Sequence, residues 1–258
     1  MPKLPEENQF LDLSDYGRSL GNFIARSLKD TVATPIHITL AFIIMGLMAM
    51  FCILKHLYLA AAILLILKSI LDAADGELAR IRNKPSYTGR YFDSNADIIL
   101  NFFIILSIWH VTQGDIFHAL LAFFCMQLQG TLYNFYYVIL RNMVHGDETS
   151  QVFETKVPIA MEWESQRSVD VLYRLYILLY GGFDRIIYMF DKTAVQSRLL
   201  PRWFMTSVSI FGLGFQLLII GIMLVIDLGQ QIIPLFIALT ALIPVFIIIR
   251  KIINRPLL

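Results

Sequence analysis

Apolar residues run along this chain in blocks whose length matches what a bilayer demands. Stretches at about 35–54, 57–79, 92–112, 116–140, 203–227 and 231–250 each approach the ~20 residues a helix needs to cross the hydrocarbon core. The pattern predicts an all-α integral membrane protein with six transmembrane helices. Ahead of the first block, Leu20, Phe23, Ile24 and Leu28 fall on one side of a helical segment that also carries Arg18, Arg26 and Lys29. That segment is too charged to span, and an N-terminal helix lying on the membrane surface is expected. Thr34 followed by Pro35 opens the first span, because proline is tolerated in a helix's first turn.

Between spans four and five the pattern changes. Residues 142–200 begin as a polar loop in which Asp147, Glu148 and Glu154 are expected to be solvated. From Val169 to Phe190 the periodicity is amphipathic, and its apolar run Leu175–Phe183 is too short to span and is interrupted by Gly181-Gly182. Cytoplasmic amphipathic helices are expected there, covering the mouth of a site, with Arg167, Arg174 and Arg185 facing lipid headgroups or a phosphate. The chain then divides into an N-terminal cytoplasmic or interfacial segment, 1–33, and a six-span membrane domain, 34–258, into which 142–200 is inserted.

Composition narrows the class. Hydrophobic residues make up 57% and charged residues 16% of 258, with a mean hydropathy of +0.64, too apolar for a soluble domain of this size. A net charge of +1, with no basic run interleaved with aromatics, gives no reason to expect a nucleic-acid partner. Cys52 and Cys125 both sit in apolar blocks and read as reduced packing residues. The acidic N-terminus lacks an apolar core and is not expected to be a secretory signal. Positive charge is one-sided: Arg80, Arg82, Lys84 and Arg90 lie between spans two and three, Arg141 and seven more Lys/Arg between spans four and five, and Arg250, Lys251 and Arg255 after span six. The other side holds only Lys55. Both termini are therefore expected on the cytoplasmic side, of an inner membrane in a bacterium or an ER-type membrane in a eukaryote.

One stretch breaks the apolar pattern with chemistry. Asp72, Asp75, Gly76, Ala79 and Arg80 share one face of a helix, and Gly89, Asp93 and Asp97 repeat the device, with Asn101 one turn further. Glu77 lies off this stripe and is expected to be solvated or at headgroup level. Between the stripes, Asn83-Lys84-Pro85-Ser86 reads as a helix stop and a turn, so two antiparallel helices present their acidic faces to each other. Four facing carboxylates repel unless cations neutralise them, and a hard divalent ion, Mg²⁺ or Mn²⁺, suits an all-oxygen site with room for phosphate. Small residues beside them allow close approach to the backbone, and the Arg80 guanidinium suits a phosphate.

These residues, Asp72-x2-Asp75-Gly76-x2-Ala79-Arg80-x8-Gly89-x3-Asp93-x3-Asp97, resemble the signature of the CDP-alcohol phosphotransferase (CDP-alcohol phosphatidyltransferase) family at all eight positions. The resemblance implies transfer of a phosphate-linked group from a CDP-alcohol to a second alcohol, with release of CMP. It further implies two divalent ions per site held by Asp72, Asp75, Asp93 and Asp97, with Asp97 also the general base. Gly76, Ala79, Arg80 and Gly89 would take the nucleotide and diphosphate, and the protein would be a homodimer. The first span opens like the family's Pro-Asn-x-x-Thr segment, with His37 in place of the asparagine.

A candidate acceptor pocket comprises Lys68, one turn before Asp72, and the stripe Gln127, Thr131, Asn134 and Arg141 on span four. Lys68 reads as a partner for Asp72 or Asp97 or for a bound phosphate, or as a snorkelling lysine; the stripe reads as an acceptor wall or as bonds between helices. The compact chain resembles enzymes that move a phosphatidyl group from CDP-diacylglycerol to a small polar alcohol. The alternative is a CDP-choline or CDP-ethanolamine:diacylglycerol transferase. A metal-binding membrane protein or transporter fits less well, since its polar groups would spread through the midplane and over inverted repeats.

Overall fold

A computed structural model describes residues 4–144, 154 and 156–255. Among them are ten α-helices and no strand. They are α1 (Arg18–Leu28), α2 (Pro35–Leu54), α3 (Tyr58–Ile81), α4 (Tyr87–Thr112), α5 (Ile116–Met143), α6 (Gln166–Phe190), α7 (Arg202–Val208), α8 (Leu213–Val225), α9 (Gly229–Leu239) and α10 (Leu242–Ile253). Among the described residues, four helical stretches are long and apolar enough to cross a membrane: α2, α4, α5 and the α9–α10 pair. Arg202–Phe211 and α8 would make a fifth span, bent by 53°. α3 has the length, but Lys68, Asp72 and Asp75 interrupt its apolar character. The reading of Asp147 and Glu148 lies outside the described residues.

Local chemistry fixes the helix ends. The Thr34 hydroxyl accepts from the His37 amide, while His37 Nδ1 accepts from the Thr34 amide at 2.9 Å, so His37 closes a capping box around Pro35. Four inter-helix turns each place one non-glycine residue in the left-handed region: His56, Asn83, Gln113 and Asp227. At Asn83 the Lys84 amide reaches back to the Ala79 carbonyl at 3.0 Å, ending α3 sharply. Arg82 donates to the carbonyls of Leu28, Lys29, Thr31 and Ala33, locking the end of α1 to the end of α3.

Packing then sets the frame. α1 lies on α3 through Gly17, Gly21 and Ala25, with a β-carbon at Gly21 only 3.1 Å from Ala73 and Ala74. Leu20 and Phe23 point outward at 56% and 70% exposure. Leu40, Ile44, Leu47 and Phe51 make an exposed apolar face on α2. At the break between α9 and α10 the Thr240 amide turns to the Ile237 carbonyl, which leaves the Phe236 carbonyl free of its usual partner. Gln129 Nε2 satisfies that carbonyl at 2.8 Å, doing inside an apolar layer what water cannot. Asp191, fully buried, is gripped by Arg250 and by the Tyr136 hydroxyl, which ties α10 to α5.

Two sequence expectations need correction. α6 runs unbroken through Gly181-Gly182, because its partly buried Phe183, 5.2 Å from the Phe124 ring, and buried Ile187 hold that stretch on the core. Glu154 is not solvated. Its carboxylate takes a 2.6 Å hydrogen bond from Arg90 and one from Tyr91, and only 7% of its side chain is exposed.

Candidate functional site

The short connection between α3 and α4 turns the two halves of the acidic stretch face to face. One carboxylate oxygen each from Asp72, Asp75 and Asp93 lie within 4.8 Å of one another. Asp75 is buried and accepts from the Thr39 hydroxyl at 2.6 Å. Asp93 Oδ1 is buried with no hydrogen-bond partner. Asp97 lies deeper along α4 and is claimed by Lys68, whose ammonium is 2.5 Å from Oδ1 and fully buried. The same ammonium sits 4.8 Å from the Phe42 ring centroid. So Lys68 is an internal counter-charge, and of the two partners spacing allowed it takes Asp97.

All four aspartates line one cavity of about 1100 Å³, together with Gly76, Ala79, Arg80 and Gly89. The nearest atoms to a β-carbon at Gly76 belong to the Arg80 guanidinium at 3.4 Å, so the helix surface there is otherwise open. Arg80 is paired at 2.7 Å with Glu77, which is partly exposed and holds the guanidinium beside the carboxylates. Gln127, Thr131, Asn134 and Arg141 line the same cavity from α5, and Asn101 from α4. Gln129, on another face of α5, bonds neighbouring helices instead. Arg167, Arg174 and Arg185 are exposed and outside the lining.

The insertion supplies groups that sequence reasoning missed. Glu164 accepts from the Ser86 hydroxyl at 2.7 Å and from the Thr88 and Tyr87 amides at 2.7 and 3.1 Å, filling the N-terminus of α4 just before Gly89. Asn95 donates to the Leu172 carbonyl, and Tyr180 to the Ser94 carbonyl. The signal was present only in outline: Ser86 caps α4, but its third helical position is Gly89, leaving the reciprocal carboxylate to come from elsewhere in the chain.

Burial works against ionising Glu164, yet the Ser86 hydroxyl and the Thr88 and Tyr87 amides outweigh it and hold the carboxyl below the usual glutamate range. A depressed value means that the stabilisation is present above the unfolded carboxyl pKa and is lost as pH falls through the folded one. Glu164→Gln is therefore expected to destabilise by roughly 1 kcal/mol near neutral pH, discounted for its partial exposure. The difference in Tm from wild type should shrink at pH values below the ordinary glutamate range.

A carboxylate cluster lining one large cavity among apolar helices makes a candidate metal site in a helical membrane protein. The family model for CDP-alcohol phosphatidyltransferase matches residues 32–161, half of the chain, including the whole acidic stretch. The chain belongs to this family. No curated protein matches the sequence. Membership makes it an integral membrane protein with a CDP-alcohol phosphotransferase activity that depends on a divalent metal. The residues fit such an ion: three carboxylates within ligand reach, one with an orphaned buried oxygen, form an all-oxygen donor set.

Proposed function

We propose that this protein transfers a phosphatidyl group from CDP-diacylglycerol to a small polar alcohol, releasing CMP. The observation that carries the reading is the polar lining beyond the aspartates. Asn101, Gln127, Thr131, Asn134, Tyr137 and Arg141 line the same cavity as the aspartates. Either reading brings acyl chains to the reacting centre, on the donor or on the acceptor, and these side chains offer the hydrogen bonds that a small polar acceptor needs.

Asp72, Asp75 and Asp93, with Asp97 contributing, would hold two ions, Mg²⁺ or Mn²⁺. When bound, they supply charge neutralisation at the diphosphate and on departing CMP. Arg80 and the open surfaces at Gly76, Ala79 and Gly89 receive the diphosphate and nucleoside. Lys68 engages Asp97 Oδ1 and leaves Oδ2 to accept the proton of the incoming hydroxyl. The hydroxyl oxygen bonds to the phosphorus bearing the diacylglycerol, the bond from that phosphorus to the CMP oxygen breaks, and the proton rests on Asp97.

In this reading α2, α3, α4, α5, the bent α7–α8 pair and the α9–α10 pair are the six spans. α1 and α6 lie at the interface, both termini and the site are cytoplasmic, and the protein is a homodimer. Residues 1–33 form the N-terminal segment, and 142–200 an insertion in the membrane domain 34–258.

The test is Mg²⁺-dependent CMP release from CDP-diacylglycerol with a pool of polar alcohols, beside CDP-choline or CDP-ethanolamine with diacylglycerol. Release only from the aminoalcohol donors would replace this reading with the alternative. Asp97→Asn is expected to lose turnover by roughly 10³-fold while nucleotide binding, read by equilibrium dialysis, is retained. Turnover at the wild-type rate in Asp97→Asn would remove the base assignment.

A further inference from the structure

α2 brings a hydroxyl into the site from outside the acidic stretch. Its buried face is the stripe Thr39, Phe42, Gly46, Ala49 and Ile53, spaced by threes and fours as one side of a helix requires. Thr39 is the polar member of that stripe and is 1% exposed. The stripe aligns the two halves of the site, because α3 and α4 each pack on α2 more extensively than on each other. The Phe42 ring seats the Lys68 ammonium that holds Asp97. A β-carbon at Gly46 would fall 2.9 Å from the Leu100 side chain, so α4 lies close against α2 there.

A threonine inside a helix ordinarily gives its proton to the carbonyl four residues back. Thr39 has that choice, with the Pro35 carbonyl 3.1 Å away, but Asp75 Oδ2 lies at 2.6 Å. A hydroxyl has one proton, and an ionised carboxylate is the stronger acceptor, with short bonds in this range. Thr39 therefore donates to Asp75. The same carboxylate is pressed by Asp72 and Asp93, whose oxygens come within 4.8 Å. The cations around it are engaged elsewhere: Lys68 by Asp97, Arg80 by Glu77 and Arg90 by Glu154, while Arg141 lies over the Tyr137 ring. Among apolar helices the repulsion is poorly screened, and it favours turning Asp75 out of the cluster. The hydroxyl opposes that rotation by fixing one oxygen, and with it the plane of the carboxylate.

We infer that Thr39 is a positioning residue for the metal site: its hydroxyl holds Asp75 Oδ2 and leaves the other oxygen aimed at the ion. This rests on Asp75 being a metal ligand, as proposed above. Outer partners of a ligand set metal affinity by roughly 10–100-fold.

The experiment compares wild type, Thr39→Val and Thr39→Ser after stripping with EDTA. One readout is the Mg²⁺ concentration that gives half of the maximal rise in Tm, which needs no substrate and no turnover. The other is the Mg²⁺ concentration for half-maximal CMP release from CDP-diacylglycerol with the pool of polar alcohols. Valine keeps the shape and loses the donor; serine keeps the donor. Thr39→Val should raise both concentrations by ~10-fold or more and leave kcat at saturating Mg²⁺ within about threefold. Thr39→Ser should stay within about threefold of wild type in both. Wild-type Mg²⁺ dependence in Thr39→Val overturns the inference, and a fall in kcat alone would make Thr39 a substrate contact instead. Thr39→Ser as impaired as Thr39→Val also overturns it, since the donor is still there. A wild-type protein that Mg²⁺ does not stabilise removes the metal reading and this inference with it. A shifted Tm response in Thr39→Val, with no CMP release from CDP-diacylglycerol by any variant, would sink the phosphatidyltransferase reading and leave the role of Thr39 standing.

Discussion

Asp93→Asn is expected to lower metal-dependent CMP release by roughly 10³-fold, about 4 kcal/mol of transition-state stabilisation, while making the metal-free protein more stable. The two effects have one cause. Asp72, Asp75 and Asp93 bring carboxylate oxygens within 4.8 Å of one another, and Asp93 Oδ1 is buried without a partner. With no cation present, each additional negative charge in this cluster opposes folding, because the apolar helices around it screen the repulsion poorly. Asparagine keeps the shape and removes one charge. It also removes one proposed ligand, so the gain from added Mg²⁺ should fall. Thermal unfolding with EDTA and with Mg²⁺ is the check: the variant should start higher than wild type and gain less. A variant less stable than wild type in EDTA, with an undiminished Mg²⁺ response, would exclude Asp93 from the ligand set.

What the sequence made legible follows from range. The acidic stripes, the turn at Asn83–Ser86 and the cap at Thr34–Pro35 depend on residues within a turn or two of each other, and the structure places them so. Lys68 was ambiguous because Asp72, one turn away on α3, and Asp97, on α4, are equally reachable from sequence spacing. Only the arrangement of α3 and α4 against α2 brings the ammonium to Asp97. The continuity of α6 was missed because Gly181-Gly182 weakens a helix by propensity alone, and that weakness is offset by contacts to α4 and α5 invisible along the chain. Glu154 looked like a loop carboxylate and Glu164 drew no reading, because their partners, Arg90 and the first turn of α4, lie more than sixty residues away. The docking of the segment before α1 left a trace in Gly212-x-Gly214, two small residues where a β-carbon would meet Ser14, but nothing local says what fills the space.

Lys68→Met is expected to be among the most damaging single changes in the protein, destabilising it by about 3–5 kcal/mol, the usual result of removing one partner from a buried ion pair. The lysine is 0% exposed, and its ammonium is held between Asp97 and the face of Phe42. Methionine fills similar volume and keeps the contact with Phe42, so the loss is electrostatic: Asp97 remains among apolar helices without its counter-charge. Adding Asp97→Asn removes that charge, and the double variant should recover most of the stability. It should recover no turnover, because the proposed base is gone. A double variant as unstable as Lys68→Met would mean that the ammonium acts through something other than Asp97. The same series reads the reach of the metal site. If Asp97 contributes to the ions, Mg²⁺ takes over the role of the missing ammonium and stabilises Lys68→Met more than wild type. If Mg²⁺ stabilises both equally, the ligand set ends at Asp72, Asp75 and Asp93, and Asp97 is left to proton transfer alone.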